Sequence, residues 1–143
     1  MQSQHIKTGR TIVARFDEGE DLIVSLKDCA KEHSIRSGFF SVIGGLKEAV
    51  FGLYENGGYK NVKKTAQHCL ELLPTIGNIT MKEGDLLIHA HITIADEEGL
   101  AFGGHLLEGC KIYPFAEVMI QEINTVIHRQ FDPKTNLLPI NLD

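Results

Sequence analysis

The sequence predicts an α/β domain of the α+β type, one main helix packed on a sheet of about seven strands. Three observations predict it. Apolar runs of strand length recur along the 143 residues, only one stretch shows the three- and four-residue apolar spacing of a helix, and one run alternates strictly between apolar and polar positions. The 43% hydrophobic content suffices for one well-buried core, and the chain is too short for two ordinary domains, so residues 1–143 read as a single domain.

Residues 8–16, TGRTIVARF, are rich in β-branched and apolar positions and stop at Asp17-Glu18-Gly19, which reads as a strand leading to a helix start. From Asp21 the period changes. Leu22, Ile23, Leu26, Cys29, Ala30 and His33 repeat at helical steps, with acids crowded into the first turn where the helix dipole favours them. The spacing predicts one amphipathic helix of roughly four turns. After Ser37-Gly38, Phe39, Phe40, Val42 and Ile43 read as a strand broken by Gly44-Gly45 and followed by a second strand over 49–54, with Asn56-Gly57-Gly58 turning the chain. Two more apolar segments, 69–73 and 76–81, are separated by Pro74, and Lys82-Glu83-Gly84-Asp85 joins them to the next strand.

Residues 85–95 alternate. Leu86, Ile88, Ala90, Ile92 and Ile94 share the core face, and His89, His91 and Thr93 share the other. If Glu97, Glu98 and Gly99 form a three-residue hairpin loop, with the glycine supplying the left-handed residue, paired residues keep their numbers summing to 196. His91 then falls opposite His105, and Ile94 opposite Phe102 on the core face. Directly opposed Cβ atoms lie about 4.5–5.5 Å apart, so these two imidazoles and that of His89 can share one ion. Gly103-Gly104 would admit a close approach of backbone or a small ligand.

The last long strand, 112–123, is apolar on both sides, with Ile112, Ala116, Val118 and Ile120 on one face and Tyr113, Phe115, Met119 and Ile123 on the other. One helix cannot cover such a sheet twice, so a subunit interface is expected on the second face.

Zinc binds neutral imidazoles, and three histidines with an open fourth position fit the pattern of a catalytic rather than a closed structural site. His89, His91 and His105 are therefore the expected metal ligands, for a divalent transition metal, zinc first. The competing reading is that they hydrogen-bond across a polar pocket or subunit seam. His5, His33, His68 and His128 receive no role. Glu71 reads as an outward-facing strand acid.

The net charge of −5 has the wrong sign for a domain whose main work is to neutralise phosphates. The only dense basic cluster, Lys60, Lys63 and Lys64, reads as a solvated hairpin face. Cys29, Cys69 and Cys110 are an odd count without a C-x-x-C pair, which points to reduced core thiols. The N-terminus lacks a signal-peptide core and no run is long enough to span a bilayer, so a cytoplasmic protein without a membrane partner is expected. No G-x-S-x-G, phosphate-loop, H-E-x-x-H or dinucleotide fingerprint is present, and no organic cofactor is expected.

Gly38–Leu46 (GFFSVIGGL), Leu70-Glu71-Leu72-Leu73 with Gly77-Asn78-Ile79, His89-Ala90-His91, Gly103-Gly104-His105-Leu106 and the closing Arg129-Gln130-Phe131-Asp132-Pro133 together resemble a prokaryotic plants-and-prokaryotes-conserved (PPC) domain. The resemblance covers residues 9–137. It implies a mostly antiparallel sheet, a homotrimer, and metal ligation by His89, His91 and His105 near a subunit junction. Plant relatives carry a minor-groove-binding Arg-Gly-Arg-Pro hook that this chain lacks, so DNA is only a weakly supported partner.

Three functions follow. The first is a metal-binding homotrimer with a regulatory or associative role, DNA binding included. The second is a zinc-dependent hydrolase or lyase acting on a small polar molecule, with Glu71, Glu108 or Glu117 as the open choices for a general base. The third is a purely structural ion holding subunits together. The sequence assigns no catalytic residue.

Overall fold

Alternation and β-branched content place most of the chain in strands. The computed structural model describes residues 1–55 and 57–142. The order is β1 (Thr8–Asp17), α1 (Leu22–Glu32), β2 (Gly38–Glu55), β3 (Gly58–Lys82), β4 (Asp85–Ala95), β5 (Ala101–Leu106), β6 (Lys111–Ile123), β7 (His128–Arg129) and β8 (Ile140–Asn141). These eight strands form one sheet, antiparallel except where β7 runs parallel to β3. The expected α+β fold with one helix is present; two pairs of expected strands merge into β2 and β3, and the two-residue β7 and β8 bring the number to eight among the described residues.

The sheet closes locally into a ring. β2 pairs with β3, β3 with β4, β4 with β5, and β5 returns to β2 through Phe51↔Leu106 and Gly52↔His105. β6 and then β1 extend the sheet from the first half of β2. Closure leaves the ring's strands few free edges and makes the structure barrel-like.

Asp21 caps α1, its carboxylate accepting from Ile23 N at 3.2 Å. Leu22, Leu26, Cys29 and Ala30 are the buried face. The helix has three turns rather than four, because the chain leaves helical geometry at His33 and Ser34 takes a left-handed φ of 56°. The acids lie before the first turn, not in it: Glu18 and Glu20 precede the cap. The core that α1 covers includes Ile79, Ile94, Ala116 and Ile120, all at 0% exposure, and each fully buried leucine or isoleucine contributes about 1.5–3 kcal/mol.

Two expected breaks are absent. Gly44-Gly45 lies inside β2, where the ladder shifts register, and Gly44 at φ +147° sits so close to β6 that a Cβ would lie 2.6 Å from Ala116 Cα. The glycines absorb a bulge rather than ending a strand. Likewise β3 runs through Pro74, and its pairing with β4 slips between Leu72 and Ile76, the place where a ladder tolerates a missing N–H. Of the expected turn at 56–58, Asn56 lies outside the described residues, while Gly57 has φ +80°.

On the sheet face away from α1, paired residues form a row: Val13 opposite Met119, Met119 opposite Ser41, Ser41 opposite Ile76, and Ile76 opposite His91. Val13, Met119 and Ile76 are 72%, 57% and 64% exposed. This row, with Phe39, Ile43 and Phe115 beside it, is the second apolar face that the last long strand predicted. Ile123 does not belong to it and is buried. Among the described residues no helix is long and apolar enough to cross a membrane.

Candidate metal centre

His89 and His91 project from β4 on one face because strand side chains alternate. The β4–β5 ladder pairs His91 with His105, Thr93 with Gly103 and Ile94 with Phe102, the register set by the loop after Asp96. That loop closes as expected, with Asp96 N donating to Leu100 O at 3.1 Å and Gly99 at φ +79°. Gly104 is required by ring closure, since a Cβ there would stand 2.6 Å from Gly52 O. Both glycines before His105 thus admit neighbouring backbone.

One nitrogen from each of His89, His91 and His105 lies within 4.8 Å of the other two. A tetrahedral zinc with Zn–N distances of about 2.0–2.1 Å would space them by roughly 3.4 Å, a closure within reach of side-chain rotation. His105 Nδ1 is buried with no hydrogen-bond partner, and such an orphan costs free energy unless something binds it. The donor set and the orphaned nitrogen fit a borderline-soft divalent ion.

Burial, then the nearby Arg129 and the other two imidazoles, push His89 down to about 4. Burial followed by His91 and Arg129 lowers His105 as well. Both rings are therefore neutral at pH 7, the form a metal needs. Tyr59 stacks on His105 with ring centroids 4.5 Å apart and an interplanar angle of 15°, which fixes that ring from its far side.

Arg129 comes from β7, which lies against β3 at Met81. Its Nε donates to Thr80 Oγ1 at 3.0 Å, Nη1 to Leu138 O, and Nη2 to Asn78 Oδ1 at 2.8 Å and to His89 Nδ1 at 3.0 Å. A guanidinium only donates, so His89 Nδ1 accepts. Residues beyond β7 fold back over the centre: Asp132 pairs with Leu137, Tyr54 Oη donates to Thr135 O at 2.9 Å, and Asn136 Nδ2 donates to Gly57 O at 3.0 Å. This strap and the β2–β3 arm flank a half-open cavity of about 780 Å³ with the three histidines on its wall.

None of Glu71, Glu108 and Glu117 lines that cavity; among the described residues the one carboxylate that does is Asp132. Glu71 pairs with Gly45 and Ala95 in the ladders, and Glu117 lies on the outer face opposite Ile43 and Arg15. Arg129, Asp132, Tyr54 and Tyr59 were not expected at the site. The only signal for Arg129 and Asp132 was the closing Arg129–Pro133 motif, which carries no periodicity and no metal-ligand spacing, and Tyr54 and Tyr59 had none. The cysteines are free, with Cys29 and Cys110 buried as expected and Cys69 only partly so.

Residues 3–124 match the family model described as the Plants and Prokaryotes Conserved (PCC) domain. A plant- and prokaryote-conserved (PPC) protein from Pyrococcus horikoshii superposes with a TM-score of 0.89 at 32% identity, covering 100% of this chain and 99% of that one. A metal-containing protein from Archaeoglobus fulgidus gives 0.85 at 29% identity, over 97% and 98%. A protein from Ralstonia eutropha JMP134 whose name proposes DNA binding gives 0.81 at 26%, over 92% and 90%. In sequence, the bifunctional protein GlmU of Synechococcus sp. (strain JA-2-3B'a(2-13)) is 32% identical over 130 residues, 90% of this chain. The chain spans about a fifth of the length of the curated relatives it matches.

Proposed function

The chain belongs to the Plants and Prokaryotes Conserved (PCC) domain family, and on that premise we propose that it is a metal-dependent protein that binds a small molecule at a zinc ion held by His89, His91 and His105. The observation that carries this reading is the convergence of three imidazole nitrogens within 4.8 Å on the wall of a cavity rather than in a closed core. Three protein ligands leave a tetrahedral ion one open position, and the cavity gives a ligand room beside it. Bound there, the ion supplies a Lewis acid toward a polar atom of the ligand. The chain's own part is positioning: Tyr59 backs His105, and the strap from 132 to 139 borders the ligand space. The catalytic form of this reading is a hydrolase or lyase, and the metal-containing Archaeoglobus relative supports the ion.

Assembly as a homotrimer belongs to the same proposal, with the row Val13, Met119 and Ile76 buried between subunits. Its support is the extent of the exposed apolar face, which a lone chain would leave in water. The row ends at His91, so this arrangement puts the metal centre beside the subunit junction.

A regulatory role on DNA is the second reading, favoured by the name of the Ralstonia relative. The surface favours it less. Lys63 pairs with Glu48 at 2.9 Å and Lys64 lies 5.3 Å over the Phe102 ring, so two of the three clustered lysines already have protein partners. Gel-shift binding that survives physiological salt would restore it.

The test of the primary reading is elemental analysis of untagged protein purified without added metal, beside His105→Ala. Close to one zinc per chain, lost in the variant, is the expected result. Protein that carries no metal and takes up none when zinc is added would leave the histidines as a polar seam.

A further inference from the structure

We infer, building on the metal reading above, that the cavity binds a small organic carboxylate with an apolar body, its carboxylate held between Arg129 and the ion's open position. The starting point is an uncompensated cation. Arg129 is half-buried, and among the described residues it makes no ion pair with any acid. Asp132, the carboxylate on the cavity wall, is engaged elsewhere: Oδ1 accepts from Lys134 N at 3.0 Å and Oδ2 from Thr135 Oγ1 at 2.9 Å. A partly buried charge without a counter-charge is costly, and proteins keep such an arrangement where a ligand supplies the missing charge.

The guanidinium geometry sharpens this. Four of its five protons have protein partners, on Thr80, Leu138, Asn78 and His89, which leaves one Nη1 proton unused. A neutral imidazole has a single lone pair. His89 therefore cannot accept from Arg129 and hold an ion at the same time, whether the ion takes Nδ1 or takes Nε2 and so leaves the ring proton on Nδ1. Loading the centre releases the Nη2 proton that now points at His89. The two terminal nitrogens of Arg129 then each offer a proton, the fork that suits a planar carboxylate. Metal and carboxylate binding are accordingly coupled in the favourable direction.

The walls select the rest of the ligand. Leu87, Ile88, Leu137, Leu138 and Pro139 line the cavity beside Tyr54. A phosphate would set its remaining charged oxygens against those side chains, whereas an alkyl or aryl body would displace water from them.

The experiment uses the full chain loaded with cobalt(II), whose visible absorption reports on the ion's coordination, titrated with hexanoate, acetate, 1-hexanol and inorganic phosphate and followed in parallel by calorimetry. Hexanoate should alter the cobalt spectrum and bind about ten-fold or more tighter than acetate, since each buried methylene contributes about 0.8 kcal/mol. It should bind at least about ten-fold tighter to loaded than to metal-free protein, as coupling of ordinary size predicts. Hexanol should leave the spectrum unchanged. Arg129→Gln should keep cobalt and lose about ten-fold or more in hexanoate affinity.

Hexanoate binding no better than hexanol, or phosphate binding better than hexanoate, overturns the inference. If Arg129→Gln does not fold, the acid-against-alcohol comparison on the unaltered chain decides it alone. If cobalt is not taken up, the metal reading fails separately. Hexanoate binding to that metal-free chain, stronger than hexanol and sensitive to Arg129→Gln, would then sustain the carboxylate site, and its absence would remove it.

Discussion

His91 and His105 stand directly opposite one another in the β4–β5 ladder with ring centroids 5.8 Å apart, and His105 is in turn opposite Gly52 of β2. One hairpin and one ring closure thus bring together ligands from two strands, and both can be perturbed separately.

Inserting one residue between Gly99 and Leu100 tests the hairpin. A slip of one position turns a strand's side chains to the opposite face. His105 would turn toward the core, and zinc content measured by mass spectrometry should fall to near zero, while an insertion at the distant Gly19, which has open space around it, should leave zinc bound.

Ring closure is tested by Gly104→Ala. The added Cβ would lie 2.6 Å from Gly52 O and 3.0 Å from the Phe51 ring. A loss of about 1–3 kcal/mol in denaturant unfolding is expected, with weaker metal retention, because His105 follows directly. A variant as stable as the parent would show that β5 does not need this close approach.

The outer face and the core should respond differently to substitution. Ile94, at 0% exposure, should cost about 2–5 kcal/mol when changed to Ala. Met119→Glu places a charge in the exposed apolar row and should leave the fold of a single chain intact while dissociating the proposed trimer in sedimentation analysis. Persistence of the trimer would move the interface elsewhere.

Acid stability should depend on Glu122. Hydrogen bonds from Arg10, from its side chain and then its backbone N–H, hold this carboxyl down to about 2 against an ordinary value near 4.5. A carboxyl depressed in the folded state stabilises fully above its unfolded value and loses that contribution as pH falls through the folded one. Chemical denaturation should therefore show Glu122→Gln closing the gap to the parent protein between pH 4.5 and pH 2. A gap that stays constant across that window would dismiss the pair.

Local pattern carried far in this chain. The alternation of Leu86 to Ile94 assigned faces to β4, and the three residues Glu97-Glu98-Gly99 were enough to pair His91 with His105, since a tight hairpin leaves little choice of register. The amphipathic spacing located α1 to within a turn. What failed was local punctuation read too literally. Gly44-Gly45 and Pro74 are strong breakers in isolation, yet both sit at bulges inside long strands, where neighbouring strands hold the backbone on either side.

The sequence by itself determined that three histidines face one way on two adjoining strands and that the last long strand carries apolar side chains on both faces. Only the tertiary structure decided what surrounds them. The β5–β2 closure brings His105 beside Tyr59, β7 delivers Arg129, and the strap beyond it flanks the cavity. These contacts join residues from 40 positions apart, as for His89 and Arg129, to 81, as for Tyr54 and Thr135, through segments as short as two residues that have no periodicity to read. Periodicity reports which face a side chain takes; it is silent about which distant strand will close over it, because that choice is made by the packing of the whole sheet.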